Sequence, residues 1–129
     1  DGENIKNISL HSLRDQMGLV TQDSIMFNGS IADNVKLGKL DANDEEVIQA
    51  LKVANAYEFV ANLPEGIHTN IGDAGNKLSG GQKQRLSIAR AILKNPPIIL
   101  YMFYCFLYVF YRHRKAELPW EESSTLLAA

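Results

Sequence analysis

The stretch Leu78-Ser79-Gly80-Gly81-Gln82-Lys83-Gln84-Arg85 is the most specific segment of this chain. Ser79 and Gln82 have the spacing of a capping box, which predicts that a helix begins here. The first turn would contain Gly80 and Gly81, whose missing side chains leave the backbone accessible to a ligand. A helix start has unpaired N–H groups and the positive end of the dipole, so the segment can bind an anion such as phosphate. Taken alone, a serine cap with incidental glycines is the simpler interpretation.

The sequence on either side predicts an alternating α/β arrangement. The helix continues through Leu86, Ala89 and Leu93 and must end at Asn95-Pro96-Pro97, because proline cannot continue a helix. The apolar run that starts at residue 98 predicts a buried parallel strand over residues 98–103, since such strands are covered on both faces. A second strand is predicted over residues 17–21.

Between the predicted strands, the pattern favours helices. Ser9 is suited to cap a short helix, and Asn43 with Glu46 makes another capping box ahead of an amphipathic segment. Together with a short helix from Ile31 and a further one ended by Pro64, this predicts a mainly helical region over residues 31–63, set to one side of the sheet.

Composition and charge narrow the classes of protein. The chain has 129 residues, with 46% hydrophobic and 22% charged residues, as in an ordinary globular domain. A net charge of -2 provides no strongly basic surface, so we expect no nucleic-acid partner. Cys105 is the single cysteine, which excludes an intrachain disulfide and indicates a reducing, cytosolic setting. The apolar stretch over residues 98–111 is shorter than the roughly 20 residues of a membrane-spanning helix.

Three segments resemble the ATPase domain of ABC transporters. Leu-Ser-Gly-Gly-Gln from Leu78, followed by Lys-Gln-Arg and then Ile88-Ala89-Arg90-Ala91-Ile92, is similar to the family's signature segment. The approach Asn70-Ile71-Gly72-Asp73-Ala74-Gly75 resembles the loop before the signature in ABC exporters, and Leu19-Val20-Thr21-Gln22-Asp23 resembles the Q-loop. The resemblance covers about residues 1–100 and implies a partial, P-loop NTPase-like nucleotide-binding domain of exporter type. Residues 101–129 form an aromatic and basic tail unrelated to the family pattern.

The resemblance also implies roles for individual residues. In the family, two nucleotide-binding domains hold two ATP molecules head to tail, and the signature of one domain contacts the γ-phosphate held by the other. Ser79, Gly80, Gly81 and Gln82 match that signature. Gln22 matches the glutamine that approaches Mg²⁺ and the attacking water, and residues 25–27 would lie near the groove that receives the transmembrane domains. The implied cofactors are ATP and Mg²⁺, and the implied location is the cytoplasmic face of a membrane.

Several catalytic elements of the family do not appear in this sequence. There is no Gly-x-x-x-x-Gly-Lys-Ser/Thr loop, which in the family precedes the segment where this chain begins, so we expect an amino-terminal truncation. Counted from Pro97, the positions of the family's Asp-Glu pair hold Met102 and Phe103, and neither can ligate Mg²⁺ or act as a base. The change after Leu100 is abrupt, and a frameshift, a fusion and a gene-model error all remain open. We expect no intact catalytic residue and neither hydrolysis nor tight binding of ATP by the chain alone.

Two other functions remain open. The chain could be a non-catalytic remnant that only supplies its signature segment to a partner domain, or it could derive from a non-transport ABC ATPase of DNA repair or translation. The exporter-like loop before the signature favours a transporter. His11, His68 and His113 are given no catalytic role, and the tail beyond Phe103 could continue as a strand or as a helix, because its apolar run has no clear period.

Overall fold

The computed structural model describes residues 4–21, 23–103 and 106–111, without the side chains of residue 5, residues 101–103 and residues 106–111. Gln22 and residues 112–129 lie outside the described residues. The helices and strands, in chain order, are α1 (Leu10–Asp15), β1 (Met17–Val20), α2 (Ile31–Lys36), α3 (Asp44–Val53), α4 (Tyr57–Ala61), α5 (Gly80–Lys94), β2 (Ile98–Phe103) and β3 (Phe106–Tyr111).

The three strands form one sheet in the order β1-β2-β3. β1 and β2 are parallel, with Met17 opposite Ile98 and Val20 opposite Tyr101, which confirms that both predicted segments are strands of one sheet. β3 is antiparallel to β2, with Phe103 opposite Phe106. Of the two conformations left open beyond Phe103, the structure therefore has a strand over Phe106–Tyr111 and not a helix.

The hydrophobic core lies between the helices. The predicted helical region is present, and α2 and α3 both pack against α5. In α2, α3 and α5 the buried apolar side chains recur at helical spacing, so each of these helices turns one apolar stripe inward, whereas α1 has no buried residue. The fully buried apolar side chains with the largest volumes are Val20, Ile31, Val35, Val47, Leu51, Val60, Ile71 and Leu86.

α5 joins the helical region to the sheet, and two glycines allow it to approach closely. A Cβ atom on Gly38, just beyond α2, would overlap the backbone carbonyl oxygen of Arg90. A Cβ atom on Gly18 in β1 would lie 2.9 Å from the Pro96 ring and 3.5 Å from Ala91. Both positions therefore require glycine because of the close approach of neighbouring elements.

Three helix starts are capped as the sequence predicts, whereas α4 begins without a side-chain cap. Ser9 caps α1, and complete capping boxes open α3 at Asn43 and α5 at Ser79. α2 has a further box, formed by Ser30 and Asp33. Within the described part of the chain, every helix is too short or too polar to span a membrane.

Candidate functional site

The candidate site is the start of α5. Ser79 has an extended backbone, and its Oγ accepts a hydrogen bond from the Gln82 N–H at 3.2 Å. In return, Gln82 Oε1 accepts from the Ser79 N–H at 2.9 Å. These two bonds engage the N–H groups of Ser79 and Gln82, so the N–H groups of Gly80 and Gly81 are left for an external acceptor.

The space in front of these two glycines is open. Gly80 and Gly81 are both exposed, and a Cβ atom built on either would meet nothing within 4 Å. The first turn of α5 contains no acidic residue. The structure therefore brings Ser79, Gly80, Gly81 and Gln82 together at one accessible helix start, as the sequence predicts.

The loop before the site is held by hydrogen bonds to its backbone, one of them from a side chain of the loop. Asn70 Oδ1 accepts from the Gly72 N–H at 2.8 Å, and the Leu78 N–H donates to the Gly75 carbonyl at 3.0 Å. Gly75 has φ of 65°, in the left-handed region that favours glycine, and its Cβ position lies 3.0 Å from the Met26 side chain. Buried Met26 thus lies directly against the loop that leads to Ser79.

Residues 25–27 form a second feature next to the site. The side chains of Ile25 and Phe27 are 65% and 56% exposed, whereas Met26 between them is buried. Two large apolar side chains therefore face solvent on a segment whose middle residue is fixed in the core. Gln22, which was predicted to approach Mg²⁺ and the attacking water, lies outside the described residues.

Arg90 and Asn34 both contact residues 25–27. The sequence alone predicted no role at the site for either residue. The Arg90 guanidinium donates to the Ile25 carbonyl at 3.1 Å and to the Asn34 carbonyl at 2.9 Å. Asn34 is 1% exposed, so it is a buried polar residue within the apolar core. The available signal was an asparagine on the buried face of an otherwise apolar helix turn, since a buried polar group must be hydrogen-bonded.

The predicted cofactors differ in how well the described residues fit them. The open N–H groups and the Ser79 hydroxyl suit a phosphate oxygen. For magnesium, no group of three or more His, Cys, Asp or Glu residues comes together among the described residues. Gln22, the predicted magnesium contact, lies outside the described residues.

A cluster of charged residues lies around the end of α2 and the start of α3. Asp44 accepts from Lys36 Nζ at 2.8 Å and lies 3.1 Å from His68 Nε2. The hydrogen bond from Lys36 lowers the pKa of Asp44, and a hydrogen bond from Lys39 lowers the pKa of Glu46. His68 is exposed and pairs with Asp44.

Comparison with known proteins identifies the class. The family model described as ABC transporter matches residues 1–101, and the chain therefore belongs to the ABC transporter family. A structure of a bacterial Atm1-family ABC exporter with ATP bound superposes with a TM-score of 0.74 and 46% identity, over 78% of this chain and 18% of that chain.

Two similar sequences carry names of export proteins. A protein named as a multidrug export ATP-binding/permease protein of Staphylococcus aureus (strain NCTC 8325 / PS 47) is 56% identical over 100 residues, which are 78% of this chain. The corresponding protein of the bovine strain RF122 / ET3-1 shows the same identity over the same length. This chain spans 17% of the length of these relatives.

Proposed function

We propose that this chain is part of the ATP-binding domain of an exporter, and that the start of α5 contacts the γ-phosphate of an ATP molecule held by a second nucleotide-binding domain. The observation that carries the proposal is the open pair Gly80 and Gly81 at a capped helix start. Its support from the comparisons is the similarity to an ABC exporter structure with ATP bound. The implied location is the cytoplasmic face of a membrane.

The contact would be made mainly by the backbone. The N–H groups of Gly80 and Gly81 point out of the helix start, where the dipole favours negative charge. Ser79 Oγ already accepts a hydrogen bond from the Gln82 N–H, so its hydroxyl hydrogen is available to donate to a phosphate oxygen. Gln82 completes the box and fixes the first turn, so that the donors are ordered before the nucleotide arrives.

We further propose that the chain by itself neither hydrolyses ATP nor binds it tightly. Hydrolysis requires a phosphate cradle, a magnesium ligand and a residue that orients water. The sequence contains no Gly-x-x-x-x-Gly-Lys-Ser/Thr loop, and Met102 and Phe103 stand where the family has Asp-Glu. Magnesium, when bound, would neutralise charge on the phosphates. The residue of this chain predicted to contact it is Gln22. The non-catalytic alternative, in which the chain serves only as a signature donor, uses the same helix start.

The transmembrane part of the exporter would contact residues 25–27. Ile25 and Phe27 are exposed apolar side chains on a segment that is anchored by Met26. Exposed large apolar residues in a cluster mark contact surfaces between proteins. We propose residues 1–100 as the part that carries these functions and residues 101–129 as a separate tail.

The test uses the full 129-residue chain with a fluorescent amino-terminal label. It is mixed with the separately purified, complete nucleotide-binding domain of the Staphylococcus aureus relative, and association is measured by sedimentation with ATP or ADP. We expect a complex with ATP that is lost in Gly81→Glu, because a carboxylate would face the γ-phosphate. Gln49→Glu, on the exposed face of α3, adds the same charge elsewhere and should leave the complex intact.

Two results would contradict these proposals. Equal ATP-dependent association of the wild-type chain and Gly81→Glu would show that the segment is only a helix cap. Magnesium-dependent ATP turnover by the purified chain, above a buffer control, would refute the proposed lack of hydrolysis.

A further inference from the structure

The side chain of Arg90 bridges two parts of the molecule that are distant in sequence. Arg90 lies in α5, and its Nε donates to the backbone carbonyl of Asn34 at 2.9 Å. Its Nη1 donates to the Ile25 carbonyl at 3.1 Å, and Nη2 lies 4.0 Å from Met26 Sδ. One rigid guanidinium thus joins α5 to α2 and to the segment that presents Ile25 and Phe27.

The side chain of Asn34 completes this arrangement from the other side. Its Oδ1 accepts from the Phe27 N–H at 2.8 Å, and its Nδ2 donates to the Phe27 carbonyl at 3.0 Å and to the Ser30 carbonyl at 3.0 Å. Both backbone polar groups of Phe27 are therefore bound by one buried side chain. The backbone of residues 25–27 is held at Ile25 by Arg90 and at Phe27 by Asn34.

The electrostatic setting favours a positive charge at this position. The Asn34 carbonyl lies near the end of α2, where the last carbonyls have no partner within the helix and the dipole is negative. Among the described residues, none of the ion pairs includes Arg90. Burial lowers the pKa of Arg90, but arginine still remains charged at neutral pH. Lysine could not replace it, because an ammonium group lacks the planar fork that reaches separate acceptors.

We propose that Arg90 is a positioning residue, which together with Asn34 fixes residues 25–27 to α5 so that a partner's contact at Ile25 and Phe27 is transmitted to the start of α5. That a partner's contact is transmitted to the start of α5 rests on the proposed function. That residues 25–27 are fixed to α5 rests only on the hydrogen bonds of Arg90 and Asn34. Arg90 and Gly81 are nine positions apart in one continuous helix, about 14 Å along its axis, so a displacement at Arg90 moves the helix start as a rigid unit.

The test measures amide hydrogen exchange of single residues in the full 129-residue chain by NMR. In Arg90→Ala we expect the Phe27 amide to exchange about tenfold faster, because residues 25–27 can then open without first breaking the hydrogen bonds of Arg90. The exchange rate of the Leu51 amide in the core of α3 should change by less than about twofold. Arg85→Ala is the matched control, because Arg85 is an exposed arginine of the same helix with a single 3.5 Å contact to the Asn55 carbonyl. It should leave Phe27 unchanged.

If Arg90→Ala does not fold, the exchange of the Phe27 and Leu51 amides is measured in Arg90→Lys instead. This variant keeps the charge and loses the planar group, so we expect faster exchange at Phe27 and not at Leu51. An unchanged Phe27 amide would overturn the proposal, and so would equal acceleration of Phe27 and Leu51, since that result indicates a purely structural role.

A second measurement tests the coupling, with the labelled chain assembled on the relative's domain with ATP. We expect assembly to slow Phe27 exchange in the wild-type chain and not in the Arg90 variant; equal slowing in both would refute the coupling. If the wild-type chain does not assemble, the proposed function is refuted. The exchange rate of the Phe27 amide in the free chain would still test the positioning role of Arg90.

Discussion

The starts of α3 and α5 have the same cap but opposite first turns. Asn43 with Glu46 opens α3, and Ser79 with Gln82 opens α5, each through two reciprocal hydrogen bonds. The first turn of α3 is Asp-Glu-Glu, whereas that of α5 is Gly-Gly-Gln. In both helices the capping box engages the same two backbone N–H groups. The two helix starts therefore differ in the side chains that occupy the space in front of the remaining N–H groups.

At α3, the chain supplies its own negative charges. Acidic residues in a first turn stabilise a helix through the dipole, and here Lys36, Lys39 and His68 also pair with them. At α5, the two glycines leave the positive end of the helix dipole exposed, and they make the first turn less stable because glycine has a low helix propensity. A helix start used only for structure resembles that of α3, and the exposed glycines of α5 are better suited to an anion from outside.

The largest expected effect comes from copying the first turn of α3 onto α5. We expect Gly80→Asp with Gly81→Glu to weaken ATP-dependent association with the relative's domain by about a hundredfold or more, because two carboxylates would oppose the phosphate. The same change should stabilise the free chain by roughly 1 kcal/mol, through helix propensity and the dipole. Sedimentation and urea unfolding measure the two effects. A variant that is both less stable and able to associate would contradict the comparison.

The reverse exchange tests α3. Asp44→Gly with Glu45→Gly should lower the melting temperature by roughly 5 °C, because the first turn loses helix propensity and its favourable charges. ATP-dependent association should be unchanged, since α3 is not the proposed contact. Thermal unfolding and sedimentation on the same sample check this. Loss of association at unchanged melting temperature would place nucleotide contact at α3 instead.

Removing each cap side chain gives a smaller, paired effect. Asn43→Ala and Ser79→Ala should each lower the free energy of unfolding by about 1 kcal/mol, because each leaves one N–H without its partner. Only Ser79→Ala should also weaken ATP-dependent association, since its hydroxyl is the proposed phosphate donor. Urea denaturation gives the first quantity and sedimentation the second. Equal association of the two variants would assign Ser79 a capping role alone.

The smallest effect is a difference in acid sensitivity. Hydrogen bonds from the Lys39 and Lys36 side chains lower the pKa of Glu46 and of Asp44 in the folded chain. A group with a lowered folded pKa contributes stability above its ordinary range and loses it as the pH falls, here below about pH 4. The start of α3 should therefore fray in acid before that of α5, whose box uses the amide of Gln82.

Backbone chemical shifts of residues 44–46 and 80–82, followed from pH 7 to pH 3, measure this difference. Glu46→Gln is the matched control, because it keeps an acceptor for the Asn43 N–H and cannot titrate. It should make the start of α3 less sensitive to acid than in the wild-type chain, and the dependence that remains should come from Asp44. Simultaneous fraying of both starts in the wild-type chain would contradict the prediction.

Local features of the fold could be predicted from the sequence because their causes are local. A capping box joins residues three positions apart, so Asn43 with Glu46 and Ser79 with Gln82 were visible without any tertiary information. The apolar runs of β1 and β2 likewise indicated strands, which the parallel pairing of Met17 with Ile98 confirms. The predicted full burial was wrong, because Leu19 is 60% exposed and residues 98–100 are only partly buried. The antiparallel strand β3 could not be predicted, because its apolar run has no clear period.

By itself, the sequence determined where the helices begin, which class of site the start of α5 belongs to and which catalytic elements have no match. Only the tertiary structure decided that Gly80 and Gly81 face open space and that Arg90 binds the Ile25 and Asn34 carbonyls. Those two bonds join residues 65 and 56 positions apart. Contacts at such separation depend on how α2 and α5 pack, which requires Gly38 against the Arg90 backbone, and no local pattern contains that geometry.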